Sequence, residues 1–288
     1  MHESTSVENV AMGLEQLREN FRSLMEEGRL ELPILPGIAA QVMQASSDQD
    51  CDTKRLSEII HRDQAMASHV LRIANCPLYM SRMQIVSLPQ AVSRLGMKKI
   101  SEMALIISCE SRVFQVKGFE TEVRALFRHS LAAGAFAQEI ARMRRWNVEE
   151  AFLCGLLHDV GKPVVLQAIA DLLAVITERP SREELFALVD EFHAMAGSRL
   201  VADWKLPARL SETILYHHNP ELAPTATQTA LMTNLANDLS HLSVGPRAVD
   251  EESIRKHPTL LPLNLYPNDV DAVLGRRQEV VTMVEAIA

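Results

Sequence analysis

Apolar residues recur along this chain at helical spacing rather than in alternation. Val7, Val10, Leu14, Leu17, Phe21 and Leu24 step by three and four residues, which makes the seam of an amphipathic helix about two and a half heptads long. Such a helix needs a partner: its own domain, a second copy of the chain, or an upstream module. After the turn at Pro33, Pro36 and Gly37, segments 37–47, 54–60, 63–75, 87–95 and 98–113 each carry an apolar face and each close at Pro, Gly or a polar cluster. Asp52 and Asp63 stand where N-caps belong, and Ser87-Leu88-Pro89 places proline in a first helical turn. A second series follows Gly118, over 121–143, 147–158, 163–178, 181–203, 207–217 and 226–242. The stretch 242–269 holds four prolines and one glycine and reads as largely irregular, after which 269–287 returns to a helical pattern. Alternation suited to a strand occurs only weakly, at Met83-Gln84-Ile85-Val86. The pattern predicts an all-α protein in two helical lobes joined near 114–120. Its expected divisions are an N-terminal helix (1–29), a first lobe (30–118), a second lobe (119–245), and an irregular segment with a last helix (246–288).

Composition narrows what this bundle can do. With 47% apolar, 23% charged and 5% aromatic residues over 288 positions, the chain can bury a sizeable core. Its net charge of -8 supplies no general positive field for phosphate backbones or anionic lipid, so neither nucleic acid nor a membrane surface is an expected partner. The run Ala141-Arg142-Met143-Arg144-Arg145-Trp146 is the one local exception, and its place at a predicted helix end suits cations that complement the helix dipole. The most apolar stretch, Pro163 to Thr177, is interrupted by Gln167 and Asp171, and no basic leader precedes an apolar core. A cytoplasmic protein without a membrane span is the expectation. Cys51, Cys76, Cys109 and Cys154 form no paired motif and read as reduced, mostly buried residues.

The chemistry-bearing residues gather in the second lobe. His129, the dyad His158-Asp159 with Lys162 just after it, His193, and the pair His217-His218 lie on successive predicted helices or their ends. A His-Asp dipeptide alone is weak evidence, and a single histidine in a helical protein is more often a hydrogen-bonded core residue than a ligand. As a set, neutral imidazoles and a carboxylate on separate rigid helices provide donors for one divalent ion, or for two. Lys162 is placed either to meet an anionic oxygen or to pair with the aspartate. No glycine-rich phosphate loop, dinucleotide fingerprint or nucleophile elbow is present.

Gly155-Leu156-Leu157-His158-Asp159-Val160-Gly161-Lys162 resembles the signature of the HD superfamily of metal-dependent phosphohydrolases. The surroundings resemble one branch of it, the HDOD family of bacterial signalling output domains. In the first lobe that likeness rests on Leu32-Pro33-Ile34-Leu35-Pro36, Ile59-Ile60-His61-Arg62-Asp63, Leu71 to Tyr79, and Ile85 to Gly96. Phe192-His193-Ala194 to Gly197, Trp204-Lys205-Leu206-Pro207 and Tyr216-His217-His218-Asn219-Pro220 continue it, so that it covers about residues 30–240. The resemblance implies a second lobe built like an HD domain and a role as a response-regulator-type output module. The implied partners are receiver, sensor or cyclic-nucleotide-signalling proteins, with a homodimer as a further expectation.

Carried over residue by residue, the resemblance places metal ligation on His129, His158, Asp159, His193, His217 and His218, with Asp159 and Lys162 as the catalytic pair if the site is hydrolytic. The implied cofactor is a divalent metal such as Fe, Mn, Ni, Zn or Mg. One position departs from the family pattern. HD enzymes carry a late metal-binding Asp, whereas this chain reads Leu235-Ala236-Asn237-Asp238-Leu239, and an amide lacks the charge to hold a divalent cation tightly. Asp238 is rotated about 100° around the helix from that position. The Gly-Tyr-Pro segment of the cyclic dinucleotide phosphodiesterases is also absent, with Asn219-Pro220-Glu221-Leu222 after His218. The expected function is a regulatory output domain acting through protein or small-ligand contacts without hydrolysis; the alternative is a metal-dependent phosphohydrolase or phosphodiesterase acting on a nucleotide.

Overall fold

The computed structural model describes residues 14–75, 83–173, 180–245 and 247–288. Among them every regular element is helical and none is a strand. The first helix, α1 (Leu14–Glu26), turns Leu17, Phe21 and Met25 inward. It is followed by α2 (Gly37–Ser47), α3 (Thr53–His61), α4 (Gln64–Ala74), α5 (Leu88–Leu95) and α6 (Met97–Ser108), which form the first lobe. A π-helical turn, Cys109–Val113, continues α6 toward the second lobe.

The starts of these helices follow from their side chains. The Asp52 carboxylate accepts the Arg55 N–H at 2.8 Å, and that of Asp63 accepts the Met66 N–H at 3.0 Å. Ser87 Oγ accepts from Gln90 N at 3.4 Å, with proline in the first turn as the sequence suggests. The weakly alternating residues before Ser87 pair with a side chain rather than with a strand. Asn75 Nδ2 donates to the Ile85 carbonyl at 2.8 Å while Asn75 Oδ1 accepts the Ile85 N–H at 2.8 Å, so one amide does the work of a neighbouring strand.

The second lobe comprises α7 (Glu120–Arg144), α8 (Val148–Leu157), α9 (Gly161–Leu173), α10 (Arg182–Asp203), α11 (Ala208–Tyr216), a 3-10 turn at Pro220–Leu222, and α12 (Thr227–Ser243). Residues 148–173 are apolar enough to suggest one membrane-length helix, but they bend at His158–Val160 into two mostly buried core helices. The basic run lies at the end of α7: Arg142 pairs with Glu139, Arg144 lies over the Trp146 ring, and Arg145 adopts φ 57° to end the helix.

Beyond α12 the chain is more regular than its prolines suggest. A short α13 (Glu251–Arg255) is capped by Asp250, whose carboxylate accepts the Ser253 N–H at 2.8 Å. The single helix expected over 269–287 is two, α14 (Pro267–Gly275) and α15 (Arg277–Ile287). Proline at the first position starts α14 two residues earlier than expected, and the break at Gly275-Arg276 turns the chain so that both Val273 and Met283 reach the core.

The partner of α1 is α10. Phe21 stacks on Phe192 with ring centroids 5.8 Å apart, Arg18 Nε donates to Glu191 at 2.9 Å, and Arg199 Nη1 donates to the Met25 carbonyl at 2.8 Å. Full burial of each of Leu17, Phe21 and Met25 contributes about 1.5–3 kcal/mol, which dominates the exposed ion pairs beside them. Val7 and Val10 lie outside the described residues, as does Cys76. Cys51, Cys109 and Cys154 are buried free thiols, and burial pushes Cys109 and Cys154 up to about 12, far from reactive thiolates.

Candidate metal centre

Six helices and the turns that end two of them bring one cluster together in the second lobe. His129 projects from the middle of α7, His158 ends α8, Asp159 occupies the turn, and Lys162 stands in the first turn of α9. His193 comes from α10, His217 and His218 from the end of α11, and Asn237 from α12. His129, His158, Asp159, His193, His217 and Asn237 are buried, whereas His218 stands at the solvent edge. Two glycines allow this convergence. A Cβ on Gly155 would collide with the Ala133 carbonyl of α7, and one on Gly161 would collide with the His193 carbonyl of α10. Only glycine lets α8 and α9 approach that closely.

The hydrogen bonds around the rings fix their tautomers. His158 Nδ1 faces the Gly155 carbonyl at 2.7 Å, His217 Nδ1 faces the Ile214 carbonyl at 2.7 Å, and His193 Nδ1 faces the Asp190 carbonyl at 2.9 Å. A carbonyl only accepts, so in each neutral ring the proton sits on Nδ1 and Nε2 carries a lone pair. His129 follows by one further step. The Ser240 hydroxyl donates to the Asn237 backbone carbonyl at 2.7 Å, so its oxygen is left to accept the His129 Nδ1–H at 2.8 Å. Four buried imidazoles therefore point lone pairs inward.

What they point at is Asp159. Its Oδ2 lies 3.3 Å from His158 Nε2 and 3.6 Å from His129 Nε2, while its Oδ1 lies 3.5 Å from His193 Nε2 and 3.8 Å from His217 Nε2. Asn237 Oδ1 completes the first side, 3.1 Å from His129 Nε2 and 3.2 Å from His158 Nε2. On the second side His193 Nε2 is 3.0 Å from His218 Nε2. Both Asp159 oxygens and His217 Nε2 are buried without a well-formed hydrogen bond. The lone pairs of His129, His158, His193 and His217 and the oxygens of Asp159 and Asn237 converge on one another, an arrangement suited to a cation, and a four-coordinate ion with bonds of about 2.0–2.1 Å spaces its ligands by roughly 3.3 Å. The residues present therefore fit a divalent metal. The groups that could hold one are His129, His158 and Asp159 on one side and His193, His217 and His218 on the other.

Charge agrees with this arrangement. Burial holds the His129, His193 and His217 rings below the ordinary imidazole range, so they are neutral ligands at physiological pH. Burial alone would raise the Asp159 carboxyl, but the group is held well below the ordinary carboxylate range, with the Lys162 ammonium 2.8 Å away as the fixed cation beside it. Lys162 Nζ lies 2.8 Å from Asp159 Oδ2, so of its two sequence-level roles the lysine takes the pairing one.

The cluster unites every residue that the sequence nominates, and adds two. Ser240 sets the His129 tautomer, and the His241 ring lies tilted against His129 with centroids 4.2 Å apart. Their signal was spacing, since Asn237, Ser240 and His241 recur at three and four residues along one face of α12. Asp238 points away, toward Arg247 at 3.6 Å and His257 at 3.5 Å, as its helical rotation requires. Its Oδ1 accepts the Asn237 amide N–H at 3.2 Å, which orients the Asn237 oxygen into the cluster.

The HDOD domain family matches residues 32–220, well over half of the chain. The chain belongs to the HDOD family. A solved structure from Shewanella amazonensis SB2B, provisionally described as a metal-dependent phosphohydrolase, superposes with a TM-score of 0.75 at 20% identity, covering 96% of this chain and 99% of that one. A provisionally described signal transduction protein from Marinobacter aquaeolei VT8 gives a TM-score of 0.63 at 19% identity over 98% of this chain and 68% of that one. At such identities these HDOD-like structures bear on the fold, which is all-α and two-lobed with an HD-like C-terminal lobe. An uncharacterised protein of Treponema pallidum (strain Nichols) is 24% identical over 211 residues, 70% of this chain and 40% of that protein. The chain thus spans less than half the length of that curated relative.

Proposed function

We propose that this HDOD chain is a regulatory output domain of a signalling system whose HD pocket holds a divalent metal as structure or as a ligand-responsive element, without hydrolysing a phosphoester. The observation that carries the reading is the position of Asn237. Its neutral amide oxygen stands between His129 and His158, where the HD pattern places a second carboxylate, so the donor set keeps Asp159 as its one anion. A hydrolytic centre relies on the metal as Lewis acid and activator of water, and both tasks depend on holding the ion firmly beside a substrate. Here Lys162, the side chain suited to a phosphoryl oxygen, is engaged by Asp159.

The residues that would hold the metal are His129, His158, Asp159, His193, His217 and His218, and Fe, Ni or Zn suit imidazole-rich donors better than Mn or Mg. Signalling proteins carrying receiver, sensor or cyclic-nucleotide-responsive modules are the partners that this reading implies, in a cytoplasmic setting. The test combines elemental analysis of the untagged protein with assays of nucleotide and cyclic dinucleotide phosphodiesters after loading with each metal. Bound metal without turnover supports the reading. Turnover that disappears in His158→Ala would establish the phosphohydrolase alternative, and a protein that binds no metal at micromolar concentrations would remove the metal from the account.

A further inference from the structure

We propose that the two sides of the cluster are unequal and that a single divalent transition-metal ion occupies the Asp159 Oδ1 side, held by His193, His217 and His218, while the Oδ2 side beside His129, His158 and Asn237 stays without one. The inference rests on the metal-binding reading above and specifies which half of the pocket does the binding.

Charge separates the halves first. Asp159 Oδ2 already has a cation, the Lys162 ammonium at 2.8 Å, and a divalent ion taking that oxygen would face a like charge across it. No Lys or Arg makes an ion pair with Oδ1 among the described residues. Ligand chemistry separates them second. The Oδ2 side offers two imidazoles and an amide oxygen, and that oxygen is a weak neutral donor whose orientation depends on Asp238. The Oδ1 side offers three imidazoles, the set that zinc and its neighbours in the transition series prefer.

The unsatisfied atoms point the same way. His217 Nε2 is fully buried, carries a lone pair because Nδ1 is committed to the Ile214 carbonyl, and has no hydrogen-bond partner. Asp159 Oδ1 lies 3.8 Å away; both Asp159 oxygens lack a well-formed hydrogen bond, but only Oδ2 has the Lys162 ammonium beside it, at 2.8 Å. On the other side His129 is tied at Nδ1 to Ser240 and packed against the tilted His241 ring, which holds that ring in place without an ion. Access also differs, because His218 stands at the solvent edge and gives an ion a route to the Oδ1 side.

The full chain, stripped by chelation and reloaded with Zn2+ or Co2+, tests this by stoichiometry and by the visible spectrum of bound cobalt. The expected result is one equivalent in the parent and a cobalt spectrum of four-coordinate type. His218→Ala, a substitution at the solvent edge that leaves the core intact, should weaken binding by at least about 10–100-fold. His129→Ala, with folding checked by circular dichroism, should retain one equivalent. Asn237→Asp should admit a second ion. Two equivalents in the parent, or one equivalent that survives His218→Ala and is lost in folded His129→Ala, would overturn the proposal while leaving the metal-binding reading intact. No metal in the parent would overturn both.

Discussion

Gly161 packs directly against the backbone carbonyl of His193, at a separation that leaves no room for a side chain. That contact seats α9 on α10 and sets how far the His193 ring stands from Asp159, two residues before the glycine. Gly161→Ala forces the two helices apart and should destabilise the protein by about 1–3 kcal/mol, the usual cost of overpacking. It should also reduce metal affinity, because the His193 to Asp159 distance of 3.5 Å has to lengthen. Chemical denaturation and metal titration of the same variant measure both effects. A variant as stable as the parent would show that the helices tolerate the shift.

Lys162 and Asp159 form a pair whose carboxylate is almost wholly buried and whose ammonium is mostly so. Removing one partner of such a pair leaves a buried charge unpaired, which costs about 3–5 kcal/mol. Lys162→Met is expected to lose stability on that scale in the metal-free protein, and saturating Zn2+ should restore part of it, since a bound cation compensates the same carboxylate. Thermal unfolding with and without metal reads both numbers. Equal losses with and without zinc would mean that the ion does not reach Asp159.

Much of this was legible in the sequence because each signal was local. Apolar spacing located the helices of both lobes, and Asp52, Asp63 and Ser87 marked helix starts by the groups that their side chains can accept. The site was legible through residue type: a carboxylate and five imidazoles on successive helices converge as the HD-like pattern implies. What stayed hidden depended on tertiary contacts. Nothing in a string of letters says that Ser240 fixes the His129 tautomer, or that α1 lies on α10 rather than on a second chain. The weak alternation at residues 83–86 was ambiguous because a side-chain amide can satisfy an extended backbone as a strand does.

That amide supports a prediction of its own. Asn75 donates to the carbonyls of Leu71 at 2.9 Å and Ile85 at 2.8 Å and accepts the Ile85 N–H. Ile85 is a buried residue, so its backbone groups have little access to water once the amide is gone. Asn75→Ala should cost about 1–3 kcal/mol, and Asn75→Asp should cost as much because a carboxylate cannot donate to the Ile85 carbonyl. Urea denaturation measures the loss. Amide exchange at Ile85 should accelerate in parallel, and unchanged exchange there would show that the tether is dispensable.

The neutral imidazoles make stability depend on pH in a defined direction. Burial lowers the pKa of His129, His193 and His217 in the folded protein below the ordinary 6.5, and brings His218 and His241 to about 4. Below about pH 6.5 the unfolded chain takes up protons on these rings that the folded chain refuses, so falling pH favours unfolding. Asp159 acts in the same sense lower on the scale, because its folded carboxyl is held below the ordinary 3.8 and its stabilising contribution disappears as pH falls through that region. The metal-free protein should therefore lose melting temperature steadily from pH 7 to pH 4.5, by several protons' worth of linkage. Replacing His193 with Asn removes one titrating ring and should make the slope shallower. A melting temperature that stays flat across that interval would mean that the rings already carry protons in the folded state, and the lone-pair geometry that admits a metal would fall with it.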